Sequence, residues 1–387
     1  MTVWDELTGQ ADAIAIVEAA AAASTIVDAP DAVMTHAWLI TGPPGSGRSN
    51  LAHAFAAALL SPGDPEGDAR TEKLVAARSH PDLAVLSTDR VIISIDEVRE
   101  LVQRSQYSPT ASRYRVMIIE DADRMAERTS NVLLKALEEP PPRTVWILCA
   151  PSEADLIPTI RSRVRTVRLR VPDVAEVAAL LVRRDGVDPA LATRAAREAQ
   201  SHIGMAHRLA TNEDARRRRE QTIDVALGIH SVSGAVLAAA TLLELAGDDA
   251  KAITEERDSQ ERDGALRSLG IEPGGTVPPA LRAQLKQLDD DQKRRATRSL
   301  RDGIDRIMVD LLSLYRDVLL VQLGSPIESI NLQVESRLRD EAALSTPAET
   351  LASMDAVATA RKRIEGNVNP TLALEAMLVA GIRKARR

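Results

Sequence analysis

The sequence predicts an α/β core built on a parallel sheet, followed by a small helical lid and an all-helical carboxy-terminal domain. Short apolar runs alternate with helical stretches as far as about residue 170, which is the pattern of a parallel sheet with helices on both faces. The segment 42–49, which reads GPPGSGRS, lies between the first apolar run and a helical stretch and has the outline of a phosphate-binding loop. Beyond Pro172 the apolar residues recur at helical spacing without a competing strand pattern.

The first predicted domain covers residues 1–170. Its strands are predicted at residues 36–41, 83–86, 115–119, 145–150 and 165–171. Its helices are predicted at residues 9–23, 50–60, 95–104 and 127–138, and turns rich in Asp, Pro or Gly at residues 28–31 and 61–67. The run 115–119 is apolar after its first residue and is followed at once by acidic residues. This is typical of a buried parallel strand with acids at its carboxyl end.

Two helical domains follow. Residues 171–211 form the predicted lid, with helices at residues 174–182, 189–199 and 205–210. Residues 212–387 form the third domain, with helices at residues 221–245, 305–323, 347–365 and 370–384. Within it, residues 251–303 are dense in both charge signs, so we expect a solvated helical insertion with a flexible turn. The basic run 214–220 is expected to be a solvated helix face rather than a DNA contact.

The composition indicates a mildly acidic soluble protein. Charged residues make up 27% of the 387 residues and the net charge is −7, whereas a protein that binds DNA alone is usually basic. Aromatic residues are only 2% of the chain, too few for a base-stacking surface. The single cysteine, Cys149, allows neither a disulfide nor a cysteine zinc site, and we expect it to be buried and inert. We find no leader-like segment or membrane-length apolar run and expect a cytoplasmic protein.

The glycine-rich segment leaves two alternatives open. Gly42, Gly45 and Gly47 would let backbone N–H groups converge on a phosphate at a helix start, and Ser49 would hold Mg²⁺. Arg48 occupies the position of the usual lysine, so a larger, planar guanidinium group stands in place of a compact ammonium group. One interpretation is therefore that the loop binds ATP with Mg²⁺. A strand-to-helix turn that kept its shape and lost the ligand is the other, and the arginine favours it.

Glu120 and Asp121 are the candidate acids, because the carboxyl ends of parallel strands can share one crevice with the loop. One carboxylate would hold Mg²⁺ through water while the other polarises an attacking water. The alternative is that these acids only complement a helix dipole.

Arg163 precedes the strand predicted at residues 165–171 and is expected at the edge of the domain. There it could neutralise charge that develops on a phosphate held by a neighbouring subunit. From the residues alone, a solvated arginine beside an edge strand is the favoured alternative.

Five segments occur together in one order: GPPGSGRS at 42–49, IIEDADR at 118–124, NVLLKALEEPP at 131–141, PTIRSR at 158–163 and NVNPTLALE at 367–375. Together they resemble the delta-prime subunits of bacterial DNA polymerase III clamp loaders, in the AAA+ ATPase superfamily. The similarity spans the whole chain apart from the charged insertion. Its specific parts are LLKALEEPP and NVNP, whereas the phosphate loop alone is generic.

The resemblance implies an AAA+ core, a lid and a helical collar through which five subunits assemble. In that family this subunit is commonly a poor or inactive ATPase that acts as a stator. It supplies the arginine of a Ser-Arg-Cys motif to the ATP site of the adjacent motor subunit. Here Ser162 and Arg163 match and Val164 replaces the cysteine, so the resemblance favours Arg163 as an arginine finger in trans. The implied partners are gamma/tau and delta subunits and, through the complex, the sliding clamp and primer–template DNA, with no membrane.

Two departures from the family bear on cofactors. The order Glu120-Asp121 inverts the Asp-Glu order of the family's motors, so the would-be catalytic carboxylate is one methylene short. The four-cysteine zinc module of many relatives has no counterpart in residues 61–78, so we expect no metal there.

Two other functions remain at this point. One is an active motor ATPase of the gamma/tau type, for which Lys and Glu would be preferred at positions 48 and 121. The other is a DNA-binding replication factor outside the loader, against which the negative charge and scarce aromatics count.

Overall fold

The structure is a computed structural model that describes residues 4, 7–24, 34–88, 92–268 and 282–381, without the side chains of residues 253 and 255–295. The chain divides into two compact units, Met1–Thr211 and Asn212–Arg387, here called the first unit and the second unit. The division coincides with the predicted start of the third domain. The separation of a lid from the core at residue 170 stays a prediction, because both parts lie in the first unit.

The first unit is built on a five-stranded sheet. Its strands are β1 (Ala37–Thr41), β2 (Leu83–Leu86), β3 (Arg115–Ile119), β4 (Thr144–Ala150) and β5 (Arg165–Arg168). They lie in the order β2-β3-β4-β1-β5, and every neighbouring pair is parallel. The predicted parallel sheet is confirmed. The prediction that the last strand reaches residue 171 is wrong, since after Leu169, whose N–H still donates to Thr41 O at 2.7 Å, the chain leaves the sheet.

Side chains that alternate along β1 fill a core on each face of the sheet. Trp38 and Ile40 pack on one face, where the rings of Trp38 and Phe55 meet edge to face at 5.2 Å. Leu39 packs on the other face, in a second core that contains Trp146. Burial on both faces explains why the strands read as continuous apolar runs. Cys149 lies in the first of these cores, and burial raises the pKa of its thiol, as expected for an inert cysteine.

Helices cover both faces of this sheet. They are α1 (Ala11–Ala23), α2 (Arg48–Leu60), α3 (Pro65–Ala76), α4 (Ile95–Ser105), α5 (Glu127–Glu138) and α6 (Pro158–Arg161). The prediction of a plain turn over residues 61–67 is wrong from residue 65 onward, because Pro65 begins α3. The Asp64 side chain accepts a hydrogen bond from the Gly67 N–H at 2.8 Å, and Pro65 occupies a first-turn position, where its missing N–H is not needed. The predicted turn at residues 28–31 lies outside the described residues.

The predicted lid helices are α7 (Val174–Asp185), α8 (Pro189–Glu198) and α9 (Ile203–Thr211). Their inner positions are buried side chains at helical spacing: Val177, Leu181, Ala192, Ala195, Ala206 and Leu209. The segment between α8 and α9 holds Gln200 and Ser201 at φ values of 50° and 63°. Such left-handed backbone is uncommon for residues other than glycine and asparagine. The next residue in the chain is His202.

The second unit is helical, as predicted. Its helices are α10 (Glu213–Leu227), α11 (Val232–Ser268), α12 (Arg282–Gln322), α13 (Glu335–Leu344), α14 (Pro347–Glu365) and α15 (Pro370–Ala380). The prediction of one continuous helix over residues 221–245 is wrong, because α10 ends at the cap residue Gly228 and α11 begins four residues later. Helix α13 was not predicted. The turn expected within the charged insertion falls on residues 269–281, which lie outside the described residues.

The basic run 214–220 is not simply a solvated face, so that prediction is wrong for Arg219. Its side chain is 4% exposed, and it donates to Asp310 at 3.1 Å and to Oδ1 of Asn331 at 2.7 Å. Arg218, beside it, donates to Asp249 at 3.0 Å. These arginines join α10 to α11 and α12, so the run stabilises the second unit from within.

Candidate functional site

The candidate site lies at the carboxyl edge of the parallel sheet. The phosphate loop, residues 42–49, connects β1 to α2, and Glu120 follows β3 directly. Nε2 of His53, one turn inside α2, lies 2.9 Å from Oε1 of Glu120. The structure therefore brings the helix that follows the loop into contact with the first of the two predicted acids, as the sequence predicts for the shared edge of a parallel sheet.

The phosphate loop has the backbone shape of its motif. Gly45 and Gly47 have φ values of 78° and 94°, a region that glycine occupies without strain, and Gly47 is the residue that caps α2. The guanidinium of Arg48 does not point away from the loop. Its Nη1 donates to the carbonyl oxygen of Gly42, at the beginning of the same loop, so the residue that replaces the usual lysine is bonded to the loop itself.

The helical segment after the core also packs on this loop. The imidazole of His202 lies against Gly45 so closely that a Cβ atom at position 45 would come within 2.2 Å of the ring. The Ile203 N–H donates to Gly45 O at 3.3 Å, and His202 Nδ1 accepts from the Met205 N–H at 3.2 Å. Gly45 is therefore required by packing, whether or not a phosphate is ever bound.

Glu120 is already engaged by two nitrogen donors. Besides His53, Arg78 approaches both carboxylate oxygens with Nη2, at 2.9 and 3.0 Å. Burial favours the neutral acid, but the hydrogen bond from His53 and the charge of Arg78 outweigh it and lower the pKa of Glu120. Neither donor was found by sequence reasoning, because both are ordinary residues of elements remote from Glu120 in the chain.

Asp121 takes no part in that cluster. Its carboxylate is 25% exposed, and the Nε of Arg124 lies 3.8 Å from Oδ1. Two residues further on, burial raises the pKa of Asp123. The two acids that the sequence placed together thus have separate environments: Glu120 faces α2 and Arg78, whereas Asp121 faces Arg124.

These residues do not fit Mg²⁺ and ATP in the way that the loop motif requires. The Arg48 guanidinium is turned back to Gly42, Glu120 is bound by His53 and Arg78, and His202 packs on Gly45. These groups are engaged within the chain itself, so we assign no reaction step to this edge. Among the residues that the structure describes, no cluster of three or more His, Cys, Asp or Glu side chains could hold a metal ion.

Arg163 lies apart from the loop, two residues after the end of α6 and two before the start of the edge strand β5. Its Nη1 donates to Thr159 O at 2.7 Å and to Ser162 Oγ at 3.0 Å, and its Nη2 lies 2.5 Å from Oε1 of Glu138. The side chain is 34% exposed. The arginine therefore serves no group of its own phosphate loop and remains accessible at the edge of the unit, which are two requirements for a residue that acts on a neighbour.

Residues 25–173 match a family model described as DNA polymerase III, delta subunit. The delta-prime subunit of Pseudomonas aeruginosa is 37% identical over 134 residues, which are 33% of this chain and 41% of that protein. The delta-prime subunit of Bacillus subtilis is 24% identical over 87% of both chains. The chain is therefore similar to delta-prime subunits of DNA polymerase III.

Part of the chain is also similar to other DNA polymerase III subunits. The gamma/tau subunit of Mycobacterium tuberculosis is 32% identical over 155 residues, or 39% of this chain and 27% of that protein. A gamma subunit-related protein of Thermotoga maritima has a TM-score of 0.40 and 17% identity, covering 89% of this chain and 93% of its own. The structure itself confirms the predicted α/β core with a parallel sheet, followed by a helical region.

The chain spans less than half the length of the Pseudomonas and Mycobacterium relatives in the matched regions. Its activity and partners are therefore matters of proposal. Within the described residues, no helix combines the length and apolar character needed to cross a membrane.

Proposed function

We propose that this chain is the delta-prime, or stator, subunit of a bacterial clamp loader, which works in the cytoplasm and helps to load the sliding clamp on primed DNA. It assembles with gamma/tau and delta subunits in a hetero-pentamer. The observation that carries the proposal is the contrast between two arginines. Arg48 is bonded to its own phosphate loop, whereas Arg163 is accessible at the edge of the core.

The chemistry of phosphoryl transfer explains why this contrast matters. Negative charge on the transferred phosphate is stabilised by cations placed beside it, and an arginine supplied by a second subunit is a common source. A chain with an obstructed phosphate loop can still supply such a cation. We assign this role to Arg163, acting in trans on ATP held by the adjacent motor subunit.

Replacement of Arg163 by alanine tests this role in the loader reconstituted with its gamma/tau and delta partners. We expect the DNA-stimulated turnover of the ATP site that Arg163 serves to fall by about tenfold or more, because the removed charge acts in the transition state. Single-turnover ATP hydrolysis in the assembled complex measures it.

Arg168→Ala is the matched control for that experiment. Arg168 lies in the edge strand β5, is 78% exposed and pairs with Glu153 at 2.8 Å, so its loss should leave hydrolysis unchanged. Undiminished ATPase activity in the Arg163→Ala complex, with assembly intact, would rule out the arginine-finger role.

We assign the surface that binds other loader subunits to the second unit, because one of its helices is apolar on two faces. The inner face of α15, with Leu374 and Met377, belongs to the core of that unit. On the outer face, Leu372 is 61% exposed and Val379 is 37% exposed. A helix that is apolar all round is usually covered on every side, and we propose that a neighbouring loader subunit covers this face.

Leu372→Glu should therefore weaken incorporation into the loader by at least about tenfold, or about 1.4 kcal/mol. The free energy of unfolding of the free chain should change little, because an exposed side chain is replaced. Analytical ultracentrifugation of mixtures with the partner subunits measures incorporation. Leu344→Glu, on α13 and 65% exposed, is the control, and equal weakening by both variants would contradict the assignment of this face.

The alternative of an active motor ATPase is favoured by one observation, the 32% identity with the gamma/tau subunit over 155 residues. Equilibrium binding of labelled ATP to the isolated chain separates the two functions, since micromolar affinity would support the motor. Tight, steeply salt-dependent binding of DNA to the purified chain would instead support a DNA-binding factor outside the loader.

A further inference from the structure

The segment NVLLKALEEPP at residues 131–141 contains a charged residue, Glu138, close to Arg163. Most of it is helix α5, whose apolar side chains Leu133, Ala136 and Leu137 are buried in the core. Glu138, the last residue of the helix, is 44% exposed. A carboxylate at the negative end of a helix dipole is unfavourable by itself, and residues that break such local rules are frequently functional.

The end of α5 holds Glu138 in a fixed place. Leu137, directly before it, is 1% exposed, and its carbonyl oxygen lies 2.8 Å from Nε2 of His36 at the start of β1. The N–H of Glu139, directly after it, donates to Lys135 O at 3.0 Å and closes the helix. The backbone on both sides of Glu138 is thus tied to the core.

The partner of Glu138 is held with similar definition. Ile160 of α6 is fully buried and accepts a hydrogen bond from the Arg163 N–H at 2.9 Å. Nη1 of Arg163 donates to Thr159 O and to Ser162 Oγ, whereas its Nη2 pairs with Glu138. The guanidinium has five N–H donors, and none of these three acceptors uses its Nε–H.

These three contacts restrict the conformations of Arg163 but do not use all of its N–H donors. An unrestrained arginine loses considerable rotamer freedom when it is fixed on a ligand, and the contact with Glu138 removes part of that freedom in advance. The ion pair is partly exposed to water, where such pairs are weak. A polyphosphate, with more charge than one carboxylate, can therefore compete for the guanidinium.

We propose that Glu138 is a positioning residue for Arg163. It holds the guanidinium in the orientation from which it reaches the phosphates of a nucleoside triphosphate bound by the neighbouring subunit. This inference rests on the proposed function of Arg163.

Glu138→Gln keeps the shape of the side chain and removes its charge. In the reconstituted loader, we expect kcat for ATP hydrolysis at the site served by Arg163 to fall by about two- to fivefold, the range of an exposed ion pair. The KM for ATP should stay unchanged, because the arginine acts mainly in the transition state. The decisive variant is Arg163→Ala/Glu138→Gln, which should be no slower than Arg163→Ala alone, since Glu138 acts only through the arginine.

Glu139→Gln is the matched control, because Glu139 is the adjacent exposed acid, and it should leave kcat unchanged. Thermal unfolding of each free variant shows whether the substitution disturbs the fold. If Arg163→Ala lowers ATPase activity and Glu138→Gln does not, this inference fails and the proposed function stands. A further loss in the double variant would also overturn the inference, whereas an unaffected Arg163→Ala complex would remove the proposed function itself.

Discussion

Asp82→Ala should destabilise the first unit by about 3–5 kcal/mol, the effect of removing one partner of a buried ion pair. The Asp82 side chain is fully buried and accepts hydrogen bonds from the N–H groups of Thr110, Ala111 and Ser112 at 2.7, 2.7 and 2.8 Å. It also pairs with Nη2 of Arg115 at 3.1 Å. Without the carboxylate, three backbone donors and a buried guanidinium would lose their acceptor.

Tryptophan fluorescence during urea unfolding can measure this loss in the first unit. All three tryptophans of the chain, Trp4, Trp38 and Trp146, lie in that unit. Asp96→Ala is the control, because Asp96 is 84% exposed and pairs with Arg99 on the same helix; its effect should stay within about 0.5 kcal/mol. Equal effects of the two variants would show that the Asp82 contacts contribute little.

The pH dependence of Asp82→Asn separates charge from shape. Burial opposes ionisation of Asp82, but hydrogen bonds from the backbone N–H groups of Ala111, Thr110 and Ser112 outweigh it and lower the pKa. A lowered carboxyl pKa gives stability that is complete above the unfolded value of about 4 and is lost as the pH falls through the folded value. The advantage of the wild type over Asp82→Asn should therefore be complete at neutral pH and shrink in acid.

Asp317→Ala should destabilise the second unit by about 2–4 kcal/mol, because unpaired buried polar groups are costly. The Asp317 side chain is fully buried and accepts from the N–H groups of Ile330 and Asn331 at 3.0 and 2.8 Å, from Nδ2 of Asn331 at 2.9 Å, and from Arg316 at 2.8 Å. Since Asn331 also accepts from Arg219, the carboxylate joins α12, α10 and the connection before α13.

Hydrogen exchange followed by mass spectrometry is the measurement for this prediction. We expect faster exchange in residues 327–334 of Asp317→Ala, together with a lower unfolding midpoint by circular dichroism. Asp340→Ala on α13 is the control, since Asp340 is exposed, and a helical Asp→Ala change is neutral or slightly stabilising. Unchanged protection of residues 327–334 in Asp317→Ala would contradict the anchoring role.

Several elements could be predicted because their signals are local. The strand 115–119 lies where its apolar run indicates, and α14 spans Pro347–Glu365 as predicted. The motif NVNP proved to be a helix start, in which the Asn369 side chain accepts from the Thr371 N–H at 2.9 Å before Pro370. The missed helix α3 carries the same two signals, Asp64 and Pro65, but the neighbouring glycines made the segment look like a turn.

The candidate site was predicted less completely, because its contacts join residues far apart in the chain. The sequence singled out Arg48, Glu120 and Arg163, and their roles stay predictions. It did not indicate the contacts of Arg48 with Gly42, of Glu120 with His53 and Arg78, or of Arg163 with Glu138, nor the packing of His202 on Gly45. Each partner is an ordinary residue in its own segment. Only the packing of segments brings it to the site.

Local patterns were enough to predict the parallel sheet, the helical second unit and the arginine that replaces lysine in the phosphate loop. Periodicity and motif spacing are properties of short segments, and they persist whatever the rest of the chain does. The folded chain alone reveals that Arg48 bonds to Gly42, that His202 packs on Gly45, and that Arg163 pairs with Glu138. A hydrogen bond or an ion pair exists only between atoms within about 3–4 Å, and the folding of distant segments sets those distances.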